Sequence, residues 1–167
     1  FADTRIVLMA VVGTLWGARL TFNFARKGGY AKGGEDYRWA ILREKMNPVA
    51  YQIFNIFFIV IFQNVLLFLI TLPASRVLGS TVQFGFADIA WAALFLGFLA
   101  FEFIADQQQW NFHQLKKAGK ASGFLQKGLF SISRHPNFFA EQAQWWVLYF
   151  WGATVTGSYL GYDLLGV

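Results

Sequence analysis

Cysteine is absent from the chain, which excludes disulfides and thiolate-bound metals. Charge is scarce. Asp, Glu, Lys and Arg make up 14% of the residues, whereas a soluble domain carries roughly 25%. With 56% hydrophobic residues, too little polar surface remains to coat a soluble fold, and the composition predicts an integral membrane protein. Proline occurs only at 48, 73 and 136, each at the border of an apolar run. No segment reads as a cleavable signal peptide, and there is no internal repeat or low-complexity tract. The glycine-rich "RKGGYAKGG", Arg26 to Gly34, lacks the spacing of a P-loop or dinucleotide fingerprint. It reads either as a flexible basic connector or as a phosphate cradle. No initiating methionine precedes "FADTRIVLMAVV", so the sequence is read as part of a longer chain.

What is abundant is aromatic and aliphatic: 20 Phe and seven Trp. A bilayer span needs about 20 mostly apolar residues, and four stretches come close. These are roughly Ile6 to Phe24, Val49 to Leu72, Asp88 to Ile104 and Phe138 to Leu160. The second carries no charge. Pro48 stands at its first helical position and Pro73 is expected just beyond its end. Unsatisfied backbone is too costly in lipid for isolated strands. The expected fold class is therefore all-α: a multi-pass transmembrane helical bundle with about four spans, and residues 1–167 forming one partial membrane domain.

Basic residues alternate between loops. Six lie in 25–48, one in 73–87 and five in 105–137. Under the positive-inside rule both basic loops fall on the cytoplasmic or equivalent side. The net charge of +5 is then a consequence of topology. It does not point to nucleic acid, because no basic helix face interleaved with aromatics lies outside the spans.

Polar residues inside spans are expensive and face a protein interior or a wet cavity. Arg19, Asn23 and Arg26 share a face of the first helix, and Gln52, Asn55 and Gln63 fall in one sector of the second. In the third, Glu102, Asp106, Gln109 and His113 form one stripe running on to Lys116 and Lys117. An unbroken helix from Asp88 to Ala118 would be about 45 Å long and would project beyond the membrane. No carboxylate sits three residues before a histidine, as the Glu-x-x-His motif of di-metal bundles requires, so no metal site is expected. The stripe reads as a hydrogen-bonding wall for a ligand or as partners for Arg19 and Arg26.

At the fourth span, "SRHPNFFAEQ" sets Arg134, His135 and Asn137 around Pro136, with Glu141 one turn further in. A helix N-terminus attracts anions through its free N–H groups and dipole. An added guanidinium and imidazole suit a phosphate or carboxylate; a plain capped helix with interfacial anchors is the alternative.

"GEDYRW" (34–39), "ADQQ" (105–108) and "GLFSISRHPNFFAEQAQWW" (128–146), with "LWGARL" (15–20), resemble the DUF1295 family. That family is similar to the C-terminal domain of steroid 5α-reductases. The Arg-His-Pro-Asn element alone is shared with isoprenylcysteine carboxyl methyltransferases and phospholipid methyltransferases. The resemblance covers about residues 5 to 150. It implies a multi-pass reductase that uses NADPH to reduce a carbon–carbon double bond in a steroid or other lipid. Its cofactor site would draw on Asp106, Gln109, Lys116, Arg134, His135 and Asn137, with "GEDYRW" helping to close it and Tyr37 a candidate proton donor. The methyltransferase alternative implies S-adenosylmethionine instead. The chain also departs from the pattern. It stops at Val167, before the charged C-terminal segment that completes the cofactor pocket in the family. The catalytic tyrosine and glutamate of the steroid reductases have no counterpart here. These departures leave a third reading, a non-catalytic subunit of a larger membrane assembly.

Overall fold

The computed structural model describes residues 3–34 and 37–157, without the side chains of Tyr37 and Arg76. Glu35 and Asp36 of the "GEDYRW" segment, the Tyr37 side chain and the end of the fourth predicted span therefore lie outside the described residues. Six α-helices carry the fold: α1 (Thr4–Arg26), α2 (Tyr37–Lys45), α3 (Pro48–Phe54), α4 (Gln63–Arg76), α5 (Phe86–Lys117) and α6 (Pro136–Thr156). A π-helical segment, Asn55–Phe62, joins α3 to α4, and no strand occurs among the described residues.

Three helices are long and apolar enough to cross a membrane: α1, the continuous rod Pro48–Ser75 and α5. The fourth expected span is also a helix. Its 21 residues reach about 31 Å, but it is less apolar. It can carry more polar groups because so much of it is enclosed by protein: Gln144, Val147, Leu148 and Trp151 are all buried. The rod is the opposite case. Ile53, Phe57, Phe62, Leu67 and Phe68 are exposed along its length, a surface that only lipid solvates without cost.

The prolines mark two helix starts as expected. Asn47 caps α3, its side chain accepting from the Val49 N–H with Pro48 in the first turn, and Pro136 opens α6. Pro73 does not end its helix: α4 continues to Arg76 with Pro73 inside it. Pro73 lies where α4 meets α6. A Cβ at Gly152 would stand 2.9 Å from the Pro73 carbonyl oxygen, so glycine is what permits the approach. The grouping of Gln63 with Gln52 and Asn55 also fails. It assumed 3.6 residues per turn, whereas the intervening π segment, with its i→i+5 bonds, rotates Gln63 out of their sector.

α1 runs parallel to α5 and α6 runs antiparallel to it, and the pairing follows from a buried clamp at one end. Arg5 donates from Nε to Asp88 Oδ1 at 2.5 Å and from Nη2 to Oδ2 at 3.0 Å. Trp151 Nε1 donates to the same Oδ1 at 2.7 Å, and the Gly85 N–H reaches Oδ2 at 2.9 Å. The remaining Arg5 capacity goes to the carbonyls of Val82 and Gln83. One carboxylate thus ties α1, α5 and α6 together. The apolar core of Met9, Val12, Val77, Ala92, Phe95, Val147, Leu148 and Trp151 packs around it.

Removing one partner of a buried ion pair strands the other, at a cost of about 3–5 kcal/mol. Asp88→Ala is expected to lose that much stability in a denaturation series in detergent. The double variant Arg5→Met with Asp88→Leu should recover part of it, because no charge is then left unpaired. A single variant as stable as the parent would show that the clamp does not hold the bundle.

Candidate functional site

A second polar layer lies about four helical turns along α1 and α5. Arg19 Nη1 sits 2.6 Å from Asp106 Oδ2 and 2.7 Å from Glu102 Oε1. Asn23 Nδ2 donates to Asp106 Oδ2 at 2.7 Å, and Asn137 Nδ2, from the first turn of α6, donates to Oδ1 at 3.2 Å. Gln144 Nε2 donates to Glu102 Oε2 at 2.7 Å, and Arg26 Nη1 to Gln107 Oε1 at 2.7 Å. The two predicted helix faces therefore meet: the Arg19–Asn23–Arg26 face of α1 is the partner of the Glu102–Asp106 stripe of α5. The layer is not saturated. Nε and Nη2 of Arg19, Oδ1 of Asn23 and Oε1 of Gln144 are buried with no hydrogen-bond partner among the described residues.

Beyond this layer α5 continues to Lys117, 32 residues from its start and about 48 Å in all, close to the expected length. Residues 118–135 fold back against its projecting end. Lys116 Nζ donates to the Gly123 carbonyl at 3.0 Å, and Gln108 Oε1 accepts from the Leu129 N–H at 2.9 Å. Gly128 has φ of +63°, and a Cβ there would stand 2.5 Å from Gln108 Oε1. Glycine is thus required both for the backbone turn and for contact with α5.

The fold-back borders two adjoining open cavities. The larger, about 620 Å³, is lined by Gln108, Asn111, Phe112, Lys120, Phe124 and Lys127, among others. The smaller, about 260 Å³, shares Phe124, Leu125 and Gln126 with it and adds Phe130, Arg134 and His135. Aromatic faces, amides and cations converge here, a lining suited to an anionic ligand that carries a flat ring.

The predicted site residues divide. Arg134 and His135 line the smaller cavity. Asn137, two residues on, is hydrogen-bonded to buried Asp106. Lys116 is exposed and occupied by the fold-back, and Gln109 is half-buried; neither lines either cavity. Sequence reasoning missed Gln108, Asn111, Lys120 and Phe124 as lining residues. The available signal was "GFLQKGLF", glycines bracketing apolar and basic residues directly before "SRHPN".

Asn137 and Asp106 are expected to behave as one unit. In a double-mutant cycle of Asn137→Ala and Asp106→Asn, measured by unfolding in detergent, contacting residues should couple by about 0.5–3 kcal/mol. Additive costs would mean that the doorway and the buried layer are independent.

Comparison with known proteins fits this arrangement into a family. Residues 2–166 match the family described as a protein of unknown function, DUF1295. A protein of Schizosaccharomyces pombe, described as uncharacterized, is 38% identical over 181 residues, covering 98% of this chain and 53% of its own length. The chain thus spans about half the length of that curated relative. No solved structure matches. On the family match and this relative together, the chain belongs to the DUF1295 family.

Proposed function

We propose that the protein works as a membrane-embedded reductase that uses NADPH to reduce a carbon–carbon double bond in a steroid or other lipid. The supporting observation is the pair of adjoining cavities and their basic lining. Lys120, Lys127 and Arg134 face space framed by Phe112, Phe124 and Phe130. The cations suit the phosphates of a dinucleotide, and the aromatic side chains offer stacking surface for its rings. The same lining disfavours S-adenosylmethionine, whose sulfonium is itself a cation. When bound, NADPH supplies the hydride, and the chain's task is to orient it and exclude water.

The chain's own residues take defined parts in this reading. Arg134 supplies positive potential at the start of α6. Asn137 fixes the first turn of α6 to Asp106, so that the Arg134–His135 corner is held in place. Glu102 and Gln144, buried and bonded to each other, keep α5 and α6 in register behind the cavities. The basic loops, and with them the cavities, are assigned to the cytoplasmic side, where a soluble dinucleotide is available.

Two measurements test this. A charge-assisted hydrogen bond is worth about 1.5–3 kcal/mol. Arg134→Ala should therefore weaken NADPH binding by roughly 10-fold to 150-fold, read by titration of the full-length protein in detergent with S-adenosylmethionine run alongside. Tight binding of S-adenosylmethionine would move the reading to a methyltransferase; binding of neither by folded protein would favour a non-catalytic subunit. For sidedness, the absence of native cysteine makes single-cysteine labelling clean. Cysteines at Lys32 and Lys120 should label from the same, cytoplasmic, side of sealed vesicles, and labelling from opposite sides would overturn the topology.

A further inference from the structure

The fold-back between α5 and α6 carries an apolar side chain with no cover. Ile132 is 85% exposed and lines neither of the two cavities. Phe124 is as bare, at 89%, but it borders both cavities and so has a place in the nucleotide reading. Ile132 has none. It directly follows the Gly128–Ser131 turn, and the first turn of α6 then adds the exposed Phe138 and Phe139.

The hydrogen bonds around Ile132 set its level in the bilayer. α5 spans 32 residues, about 48 Å, against a hydrocarbon core of about 30 Å, so one end projects. That end begins near Asp106. Before it α5 is apolar from Ile89 to Ile104 apart from Glu102, and after it come three glutamines and, further on, Lys116 and Lys117. The Leu129 N–H donates to Gln108 and Asn137 donates to Asp106. Ile132 lies in the chain between these two anchors, which holds it near the level of Asp106, where headgroups begin.

The charge at this end has one sign. From Gln107 to Ala140 there are five basic residues and no acid. The two basic segments, 25–48 and 105–137, together hold eleven Lys and Arg against four acids, Glu35, Asp36, Glu44 and Asp106. Asn23 and Arg26 bond to Asp106 and Gln107, which brings Lys27 to the same end of the bundle. Lys27, Lys117, Lys120, Lys127 and Arg134 make no ion pair among the described residues. Of these, Lys27 and Lys117 line neither cavity.

We propose that the fold-back rests in the headgroup layer of an anionic leaflet. Ile132 inserts between the lipids, and Lys27, Lys117 and the neighbouring unpaired cations attract the phosphates. An apolar side chain among cations matches such a surface on both counts, since hydrocarbon accepts the isoleucine and the headgroups accept the charge. The leaflet is also the one partner that the adjoining spans keep permanently within reach.

The chain has no cysteine, so single nitroxide labels can be placed cleanly. Labels at Ile132→Cys and at Ser122→Cys, exposed on the same fold-back, are compared by power saturation in nanodiscs holding one copy of the purified full chain. In discs containing phosphatidylglycerol, the label at 132 should be reached by oxygen more than by a nickel chelate, and the label at 122 the reverse. In pure phosphatidylcholine the ratio of immersed to aqueous label at 132 should fall tenfold or more. Lys27→Gln with Lys117→Gln should lower that ratio in the anionic discs by roughly fivefold for each lysine. The same pair should leave NADPH titration unchanged. Thermal melts establish that each variant is folded. Equal chelate access at 132 and 122 in both membranes would overturn the surface. Immersion at 132 that is the same in both lipids would overturn the anionic partner. Loss of NADPH binding in the lysine pair would assign those cations to the nucleotide and overturn their part here. Dipolar broadening at 132 in discs holding two copies would give the face to a second copy instead.

Discussion

The side chain of Asp106 is the constraint on which the site depends. A carboxylate at membrane depth must find donors or not be there, and this one finds three: Arg19 and Asn23 on α1, and Asn137 on α6. The partners come from two helices, α1 and α6, whose apolar faces alone would not fix their rotation. Lipid tails are as apolar as leucine, so apolar faces alone do not select a partner in a bilayer. The polar layer does. It sets α1, α5 and α6 in rotation and register, and Asp88 does the same at the opposite end through Arg5 and Trp151. Between the two layers the apolar core has only to fill space.

Asp106 also connects fold to chemistry. Asn137 lies in the same turn of chain as Arg134 and His135, which line the smaller cavity. The hydrogen bond from Asn137 to Asp106 therefore locates the doorway relative to the buried layer. Gln108, two residues after Asp106, accepts from Leu129 and pins the second half of the same fold-back. Two residues in one turn of α5 thus anchor the chain on either side of the Arg134–His135 corner.

Much of this was legible from helical periodicity. The Arg19–Asn23–Arg26 face and the Glu102–Asp106 stripe each appear at spacings of three and four, and two polar faces in apolar spans have few partners besides each other. The prolines at 48 and 136 marked true starts because a first-turn proline is a local effect. What stayed hidden was non-local. Arg5, Asp88 and Trp151 each have an ordinary local reading: a terminal base, an acid favoured in a helix's first turn and an interfacial aromatic. Nothing in the sequence shows that they converge across 63 to 83 residues. Pro73 misled for the same reason, since its close packing against Gly152 comes from another helix. Lys120 and Phe124 escaped as lining residues because a loop has no period to read.

The rod shows what happens where no polar partner exists. From Val49 to Phe68 its large apolar residues are exposed or half-buried, and its firm contact with the bundle is confined to the last turns, around Pro73 and Val77. Gly152 lets the backbones approach closely there, the small-residue device that substitutes for hydrophobic driving force in lipid. Further along, large side chains hold helices apart and lipid solvates both faces equally well, so association gains nothing. Two of the rod's polar residues, Gln52 and Asn55, lie at its other end, beside Arg43. One helix is thus fastened to protein at one end and bare of protein contact along most of its length.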